Sequence, residues 1–258
     1  MSALAKLNLN ADLGESFGAW RMGDDEGLLG VVQSASIACG FHAGDPVIMR
    51  KTVAAALAAG VSIGAHPSYP DLQGFGRRSL KCSAEEVEAL VIYQIGALDG
   101  FARAQGARVS HVKPHGALSN DACRDLALAD AIARAIRAYD ADLILLAPAL
   151  SNLAEAGAVA GLKVASEIFA DRAYENDASL TPRQREGAVL HEAEKCLDHV
   201  AAMLKAGGLV TRDGKILPTP IHSICVHGDG PGAVATATAL RSELATRFDL
   251  CPLPVVMA

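Results

Sequence analysis

The 258-residue sequence has 23 lysines and arginines against 29 aspartates and glutamates, and 51% of it is hydrophobic. This composition supports a large core and excludes wholesale disorder. A net charge of −6, without a lysine- or arginine-rich run, argues against nucleic acid and anionic membranes as partners. Because neither a long apolar run nor a secretory signal is visible, we expect a cytoplasmic chain that spans no membrane.

Short apolar segments alternate with alanine-rich helical patterns along the whole chain. In chain order, the predicted strands are 6–12, 34–40, 61–66, 108–115, 142–148, 163–170 and 222–228. The predicted helices between them include 46–59, 84–105, 125–139 and 187–206. Asp45 before Pro46, and Ser83 three residues before Glu86, are typical of helix starts.

Strands that alternate with helices predict βαβ units and a parallel sheet covered by helices. Seven units without an intervening linker predict one domain over residues 1–258. We expect the α/β sheet to close into a distorted seven-stranded (β/α) barrel, with an open sheet as the alternative. The polar stretch 171–186 predicts an active-site loop, and 208–220 predicts a small hairpin.

Ionisable residues stand where six of the predicted strands give way to glycine or proline. In chain order they are Asp12, Glu15, His42, Asp45, His66, His111, Lys113, His115, Glu167, Asp171, Arg172, His227 and Asp229. The C-terminal ends of parallel barrel strands share one rim. Burying so many ionisable groups is costly unless each has a partner. We therefore predict a catalytic or binding rim.

Two kinds of chemistry suit these residues, and the sequence leaves both open. Asp12, His42, His66 and His115 are suitable metal ligands, but no local ligand pair occurs, so spacing gives no metal signal. The same residues with tuned pKa values could perform metal-free acid–base catalysis.

The six cysteines show neither zinc-finger nor disulfide spacing. Of these, Cys39 and Cys225 lie in apolar runs and are predicted to be core thiols.

Two glycine-rich segments are candidate anion sites. In segment 228–233, Gly228 and Gly230 are predicted to hold a phosphate or carboxylate at a helix N-terminus. A dinucleotide fold is disfavoured there, because too little chain follows. Segment 71–78 ends in Arg77 and Arg78, which predict either an anion clamp or a solvated turn. The sequence contains neither a P-loop nor a GxSxG elbow, which disfavours P-loop binding of ATP and serine catalysis.

The strand-end motifs together resemble the LamB/YcsF family along nearly the whole chain. The matching motifs are NADLGE (10–15), IACGFHAGD (37–45), GAHP (64–67), HVKPHG (111–116), FADR (169–172), SLTPR (179–183) and HGD (227–229). Ser36 and Ser119 depart from the family pattern, where asparagine and tyrosine are expected, and these departures bear on substrate contacts.

The resemblance implies a seven-stranded barrel like those of glycoside hydrolases and carbohydrate deacetylases. It also implies ring opening of 5-oxoproline to L-glutamate coupled to ATP hydrolysis. The implied partners are separate subunits B and C of a 5-oxoprolinase, which would bind most of the ATP. The resemblance does not decide whether the barrel binds a divalent metal. The alternatives are a metal-dependent deacetylase or amidohydrolase, and a non-catalytic subunit that binds a small carboxylate.

In the implied reaction, all of these rim residues except His111 have an expected role. Asp12 or Glu15 activates water, His66 or His115 protonates the departing nitrogen, and Lys113 stabilises developing negative charge. The residues expected to contact or orient substrate are His42, Asp45, Glu167, Asp171, Arg172, His227 and Asp229. Among these, Arg172 is expected to pair with the substrate carboxylate, and Asp171 is expected to hold the Arg172 guanidinium in place.

Overall fold

The computed structural model describes residues 4–228 and 232–258. Its strands are β1 (Ala5–Leu13), β2 (Ser34–Ala38), β3 (Ser62–His66), β4 (His111–Val112), β5 (Ile144–Pro148), β6 (Lys163–Phe169), β7 (Gly208–Val210), β8 (Ile216–Pro218), β9 (Ser223–Val226) and β10 (Phe248–Leu250). Its helices are α1 (Asp25–Leu29), α2 (Pro46–Ala58), α3 (Ala84–Ala104), α4 (Gly116–Ala122), α5 (Leu126–Tyr139), α6 (Asn152–Val159), α7 (Ala193–Ala206), α8 (Ala233–Leu244) and α9 (Leu253–Val256).

Within the described residues, seven parallel strands close into a barrel. Their order is β1-β2-β3-β4-β5-β6-β9, and β9 pairs back onto β1 from Asn8–Ser223 to Ala11–Val226. Parallel neighbours need crossover connections, and the helices that supply most of these cover the outside of the barrel. The predicted seven-stranded (β/α) barrel in a single domain is confirmed, and the open sheet is excluded.

The interior of this barrel is polar, whereas parallel barrels are usually filled with bulky apolar side chains. Strand β1 illustrates this pattern. Its alternate residues face opposite sides of the sheet, so one set points into the barrel and the other set points outward. Its odd-numbered residues from Leu7 to Leu13 join the hydrophobic core. Asn8 and Asn10 point inward, and Asn10 Nδ2 donates to Glu167 Oε1 on β6 at 2.9 Å. Side chains from separate strands therefore meet inside the barrel.

The C-terminal segment closes the end of the barrel where the strands begin. Strand β10 pairs with the first half of β1, and Asn8 Nδ2 donates to Cys251 O at 3.0 Å. Leu253 of α9 packs against Ile144 and Leu146 in a small apolar cluster. The sequence did not predict β10, because three residues are too few to show strand periodicity. The predicted rim residues stand at the opposite end of the barrel, near or after the ends of the strands.

Most predicted elements are confirmed, with some shifted ends. The capping residues Asp45 and Ser83 both accept backbone N–H groups at the starts of α2 and α3. Helix α7 begins at Ala193, six residues later than predicted. The reason is that Leu190 N donates to Asp171 O at 2.8 Å, which holds the preceding residues against the 171–186 loop.

Three further segments complete the comparison with the predicted elements. Strand β4 is only two residues long, because Pro114 has no N–H to continue the ladder. Residues 171–186 form neither helix nor strand, as predicted, and β7 and β8 form the predicted antiparallel hairpin. Of the helices in the described chain, none is long and apolar enough to cross a membrane.

Candidate active site

A buried ionic network lies at the end of the barrel where the strands finish. Lys113 follows β4, and its Nζ lies 2.8 Å from Asp12 Oδ1 on β1 and 3.2 Å from Glu167 Oε1 on β6. The same nitrogen donates to Cys225 Sγ of β9 at 3.0 Å and to Asn10 Oδ1 at 3.3 Å. Barrel closure therefore brings together side chains from four strands that are distant in sequence.

Mutual attraction keeps Asp12 and Lys113 charged despite their burial. Burial would raise the pKa of Asp12, but His66 and Lys113 hold it well below its usual value. Burial would lower the pKa of Lys113, but the Asp12 carboxylate helps to raise it well above its usual value. Burial raises the pKa of Glu167 despite the nearby ammonium. The network thus joins one ammonium, one firmly ionised carboxylate and one carboxyl group that retains its proton more readily.

A second ion pair stands at the more accessible side of this network. His227 Nδ1 lies 2.8 and 2.9 Å from the two carboxylate oxygens of Asp171. Their side chains are 17% and 16% exposed, whereas Asp12 and Lys113 are almost fully buried. Burial would lower the pKa of His227, but Asp171 raises it above its usual value. The pair therefore favours the protonated form of the His227 imidazole beside the buried network.

Glu15, His42, His66 and His115 pack together on the other side of Asp12 and are called the histidine cluster below. His66 Nε2 lies 3.5 Å from Asp12 Oδ2 and 3.0 Å from His115 Nδ1. His42 Nε2 lies 3.0 Å from Glu15 Oε1, and the His42 and His115 rings stack with centroids 3.8 Å apart. Burial holds the pKa of both stacked histidines well below its usual value, so both are neutral near pH 7.

Among residues 4–228 and 232–258, two sets of side chains have donor atoms close enough to hold a metal ion. The donor atoms of the histidine cluster lie within 4.8 Å of one another, and so do those of Asp12, Cys225 and His227. In the second set, burial raises the pKa of the Cys225 thiol well above its usual value. A thiol binds metal as the thiolate, so this shift disfavours the second set. The histidine cluster is the better candidate.

Asp45 and Arg78 of segment 71–78 form their contacts outside both clusters, whereas Arg77 lies over the Phe75 ring beside the histidine cluster. Asp45 Oδ1 accepts from Val47 N at 2.8 Å, and its Oδ2 accepts from Gly18 N at 2.7 Å. Arg78 forms an ion pair with Asp71 within its own turn. Asp45 therefore starts a helix and fixes a loop, and its predicted contact with substrate stays a prediction.

Arg172 also lies outside both clusters and holds the 171–186 loop. Its guanidinium donates to Thr181 O at 2.7 Å and to Ala188 O at 3.4 Å. Burial, with a contribution from nearby Arg183, lowers the pKa of Arg172 to about 10. Asp171 was expected to hold this guanidinium, but its carboxylate accepts from His227 instead. The predicted pairing of Arg172 with a substrate carboxylate stays a prediction.

Strand β9 leads into the glycine-rich segment predicted to bind an anion. Asp229 and Gly230 lie outside the described residues. A Cβ atom added at Gly228 would come within 2.8 Å of Asp12 O. Glycine therefore allows the chain to pass close to the end of β1, while the predicted phosphate contact of Gly228 stays a prediction.

Sequence reasoning missed the places of Asn10 and Cys225. Cys225 is a buried core thiol as predicted, but its Sγ also accepts from Lys113 Nζ inside the barrel, a contact that was not predicted. The period-two pattern of polar residues was the missed signal. Asn8, Asn10 and Asp12 alternate with apolar residues, which indicates that the inward face of β1 is polar.

Comparisons with known proteins agree with this architecture. The sequence profile of the LamB/YcsF family matches residues 7–256. A relative from Azoarcus sp. (strain BH72), named as the A subunit of 5-oxoprolinase, is 62% identical over 252 residues, which are 97% of this chain and 98% of the relative. A relative of the same name from Methylococcus capsulatus is 56% identical over 241 residues, which are 93% of each chain.

Solved structures show the same barrel. The Lactam Utilization Protein from Thermus thermophilus matches with a TM-score of 0.89 and 41% identity, over 95% of this chain and 99% of that one. A T48 deacetylase solved with substrate matches with a TM-score of 0.51 and 13% identity, over 98% and 90% of the two chains, which indicates a shared fold alone. Matching the family profile over almost its whole length, this chain belongs to the LamB/YcsF family.

Proposed function

We propose that this chain is the subunit of an ATP-dependent 5-oxoprolinase that opens the lactam of 5-oxoproline to give L-glutamate. Relatives named as the A subunit of 5-oxoprolinase match it over nearly its full length, and the word subunit in their name implies partner chains. The structural observation that supports the proposal most is the buried Asp12–Lys113–Glu167 network, with the Asp171–His227 pair at its accessible side.

ATP is needed because the five-membered lactam is an unstrained, resonance-stabilised amide. In the proposed sequence, partner subunits B and C transfer the γ-phosphoryl group of ATP to the amide oxygen. Water then adds to the activated carbon, and the carbon–nitrogen bond breaks as the nitrogen accepts a proton. The product, a γ-glutamyl phosphate, is hydrolysed by a second water to glutamate and phosphate.

Within this barrel, Asp12 is the proposed base that orients and deprotonates water. It is ionised, and it contacts both Lys113 and His66, whereas Glu15 contacts His42. An activated substrate requires only a weak base, which suits a carboxylate of low pKa. Lys113 stabilises the negative charge that develops on the oxygen of the added water as that hydroxyl group loses its proton and the carbon–nitrogen bond breaks.

His227 is the proposed proton donor to the departing nitrogen. Asp171 raises its pKa, and the side chain is 17% exposed, so a protonated imidazole can reach substrate. Burial keeps His115 neutral, and a neutral imidazole is a poor acid. His66 is 1% exposed and uses Nδ1 to hold a backbone carbonyl. The geometry therefore favours His227 over the two histidines expected from the sequence.

Reconstitution tests the division of labour between subunits. The chain is purified alone, and subunits B and C are purified together without it. Glutamate release from 5-oxoproline and ATP is then followed for each preparation and for their mixture. We expect release only from the complete mixture. Robust ATP-driven release by the isolated chain would refute the proposed division.

A further inference from the structure

The histidine cluster is deeply buried and is not used by the reaction proposed above. His42 and His66 are each 1% exposed, His115 is 5% exposed and Glu15 is 8% exposed. They are placed by four neighbouring strands, β1 to β4, at or just after the end of each strand. Grouping three imidazoles and a carboxylate away from water is costly unless a cation or a full set of hydrogen bonds satisfies them.

The hydrogen bonds of two of these histidines fix which ring nitrogen bears a hydrogen. His66 Nδ1 lies 2.6 Å from Lys113 O, and His115 Nε2 lies 2.8 Å from Phe75 O. Because a carbonyl oxygen only accepts, both of these nitrogens are N–H donors. In neutral rings, His66 Nε2 and His115 Nδ1 therefore carry lone pairs, and these two atoms face each other 3.0 Å apart. Either a shared proton or a metal ion between the two nitrogens would satisfy both of them.

The outer contacts of both rings are those of metal ligands. A histidine that binds metal generally donates its other N–H to a backbone carbonyl or a carboxylate, which fixes the ring and its tautomer. His66 and His115 both do this. Phe75 supplies one of the two carbonyls from a left-handed backbone conformation (φ 54°), which is uncommon for a bulky residue.

Three of the distances among the four donors are close to those around a four-coordinate ion, and all four donors lie within 4.8 Å of one another. Glu15 Oε1 lies 3.0 Å from His42 Nε2 and 3.4 Å from His115 Nδ1, which in turn lies 3.0 Å from His66 Nε2. Metal–ligand bonds of about 2.0–2.1 Å in a tetrahedron place ligand atoms roughly 3.3–3.4 Å apart. Because the His42 and His115 rings are stacked, one of them must rotate before both can direct a lone pair at the same ion.

We propose that Glu15, His42, His66 and His115 bind one divalent transition-metal ion of the zinc class. Three imidazole nitrogens and one carboxylate oxygen suit Zn²⁺, Co²⁺ or Fe²⁺ and do not suit Mg²⁺ or Ca²⁺, which prefer oxygen ligands. The Glu15 carboxylate offsets part of the charge of a dication, and the Asp12 carboxylate, which Lys113 already pairs with, lies 3.5 Å from His66.

Metal binding is tested on the isolated full-length chain, without substrate or ATP. The chain is treated with a chelator and titrated with Zn²⁺ by calorimetry and with Co²⁺ by visible absorption. We expect saturation at about one ion per chain, with the absorption bands of a tetrahedral cobalt site. The isosteric Glu15→Gln and the His66→Gln variants should lose stoichiometric binding. His191→Gln, on the surface, should retain it and serves as the matched control.

Circular dichroism and thermal unfolding establish that each variant is folded before it is titrated. A folded wild-type chain without saturable binding of Zn²⁺ or Co²⁺ overturns the proposal, and the facing lone pairs then share a proton. Undiminished binding in both Glu15→Gln and His66→Gln overturns it as well. Since neither measurement involves lactam or ATP, failure here is distinguishable from failure of the proposed hydrolysis.

Discussion

The Lys113 ammonium meets the Asp12 carboxylate 2.8 Å away inside the barrel, one placed by β4 and the other by β1. They are 4% and 6% exposed, and the same ammonium lies 3.2 Å from Glu167. Burial makes such a pair costly to form, because both charges leave water. Loss of the single cation would leave two carboxyl groups facing each other without compensation.

Replacement of Lys113 by methionine should therefore destabilise the fold strongly. We expect the free energy of unfolding to fall by about 3–5 kcal/mol, as is usual when one partner of a buried ion pair is removed. Urea unfolding of the isolated chain measures this change in the free energy of unfolding. Lys195→Met is the matched control, because Lys195 pairs with Glu192 at the surface. In Lys195→Met the free energy of unfolding should fall by less than about 1 kcal/mol. Equal losses of stability in the two variants would contradict this description of the buried network.

The Asp171–His227 pair predicts a change in the titration of His227. Asp171 raises the pKa of His227 against the effect of burial. In Asp171→Asn burial acts unopposed, so the imidazole should lose its proton at a lower pH than in the wild type. NMR titration of the histidine ring protons measures the midpoint, and Asp142→Asn at the surface should leave it unchanged. A midpoint that does not fall in Asp171→Asn would remove the basis for a protonated His227.

Gly64 and Gly100 predict opposite effects of the same substitution. A Cβ atom at Gly64 would overlap the His111 imidazole inside the barrel, whereas one at Gly100 in α3 would meet nothing within 4 Å. Gly64→Ala should destabilise the chain by about 1–3 kcal/mol through overpacking. Gly100→Ala should stabilise it by up to about 1 kcal/mol, because alanine favours helix. Thermal and urea unfolding measure the stability of both variants. An unchanged stability of Gly64→Ala would contradict the prediction and show that the barrel interior can expand.

Arg172 predicts a change in the mobility of the 171–186 loop. Its bonds to Thr181 O and Ala188 O tie the loop together, and lysine cannot reproduce both. Arg172→Lys should therefore speed tryptic cleavage after Arg183 and Arg185. Arg183→Lys on the exposed part of the same loop keeps the charge and the cleavage site, so its cleavage rate should match the wild type. Unchanged cleavage of Arg172→Lys would indicate that the loop is held elsewhere.

The barrel could be predicted because each strand–helix unit has local signals. Apolar runs end in glycine or proline, and Asp45 and Ser83 cap the helices that follow. Closure was inferred from the positions of ionisable residues, and the pairing of β9 with β1 confirms it. Strand β10 escaped prediction because its three residues gain their order from the edge of β1, a tertiary contact that leaves no local pattern.

The sequence partly predicted which residues lie in the site, but it did not predict which of their side chains contact one another. Residues at strand ends, such as Asp12 and Lys113, had to meet once the barrel closed. The partner of each side chain depends on register and rotamer instead of spacing. Asp171 and His227 are 56 residues apart in sequence and meet only because β6 and β9 are neighbours. The sequence therefore suggested Arg172, next to Asp171, as its partner.

The central claim is that the Asp12 carboxylate acts on an activated lactam inside this barrel. Its most direct test is the complete mixture with subunits B and C, in which wild type is compared with the isosteric Asp12→Asn. Glutamate release and ATP hydrolysis are measured together, with Asp142→Asn as control. We predict that Asp12→Asn lowers glutamate release at saturating substrate by at least about 100-fold, as expected for loss of a general base. If release persists at the wild-type maximum and only the affinity for 5-oxoproline changes, Asp12 belongs to a binding site and the claim is contradicted.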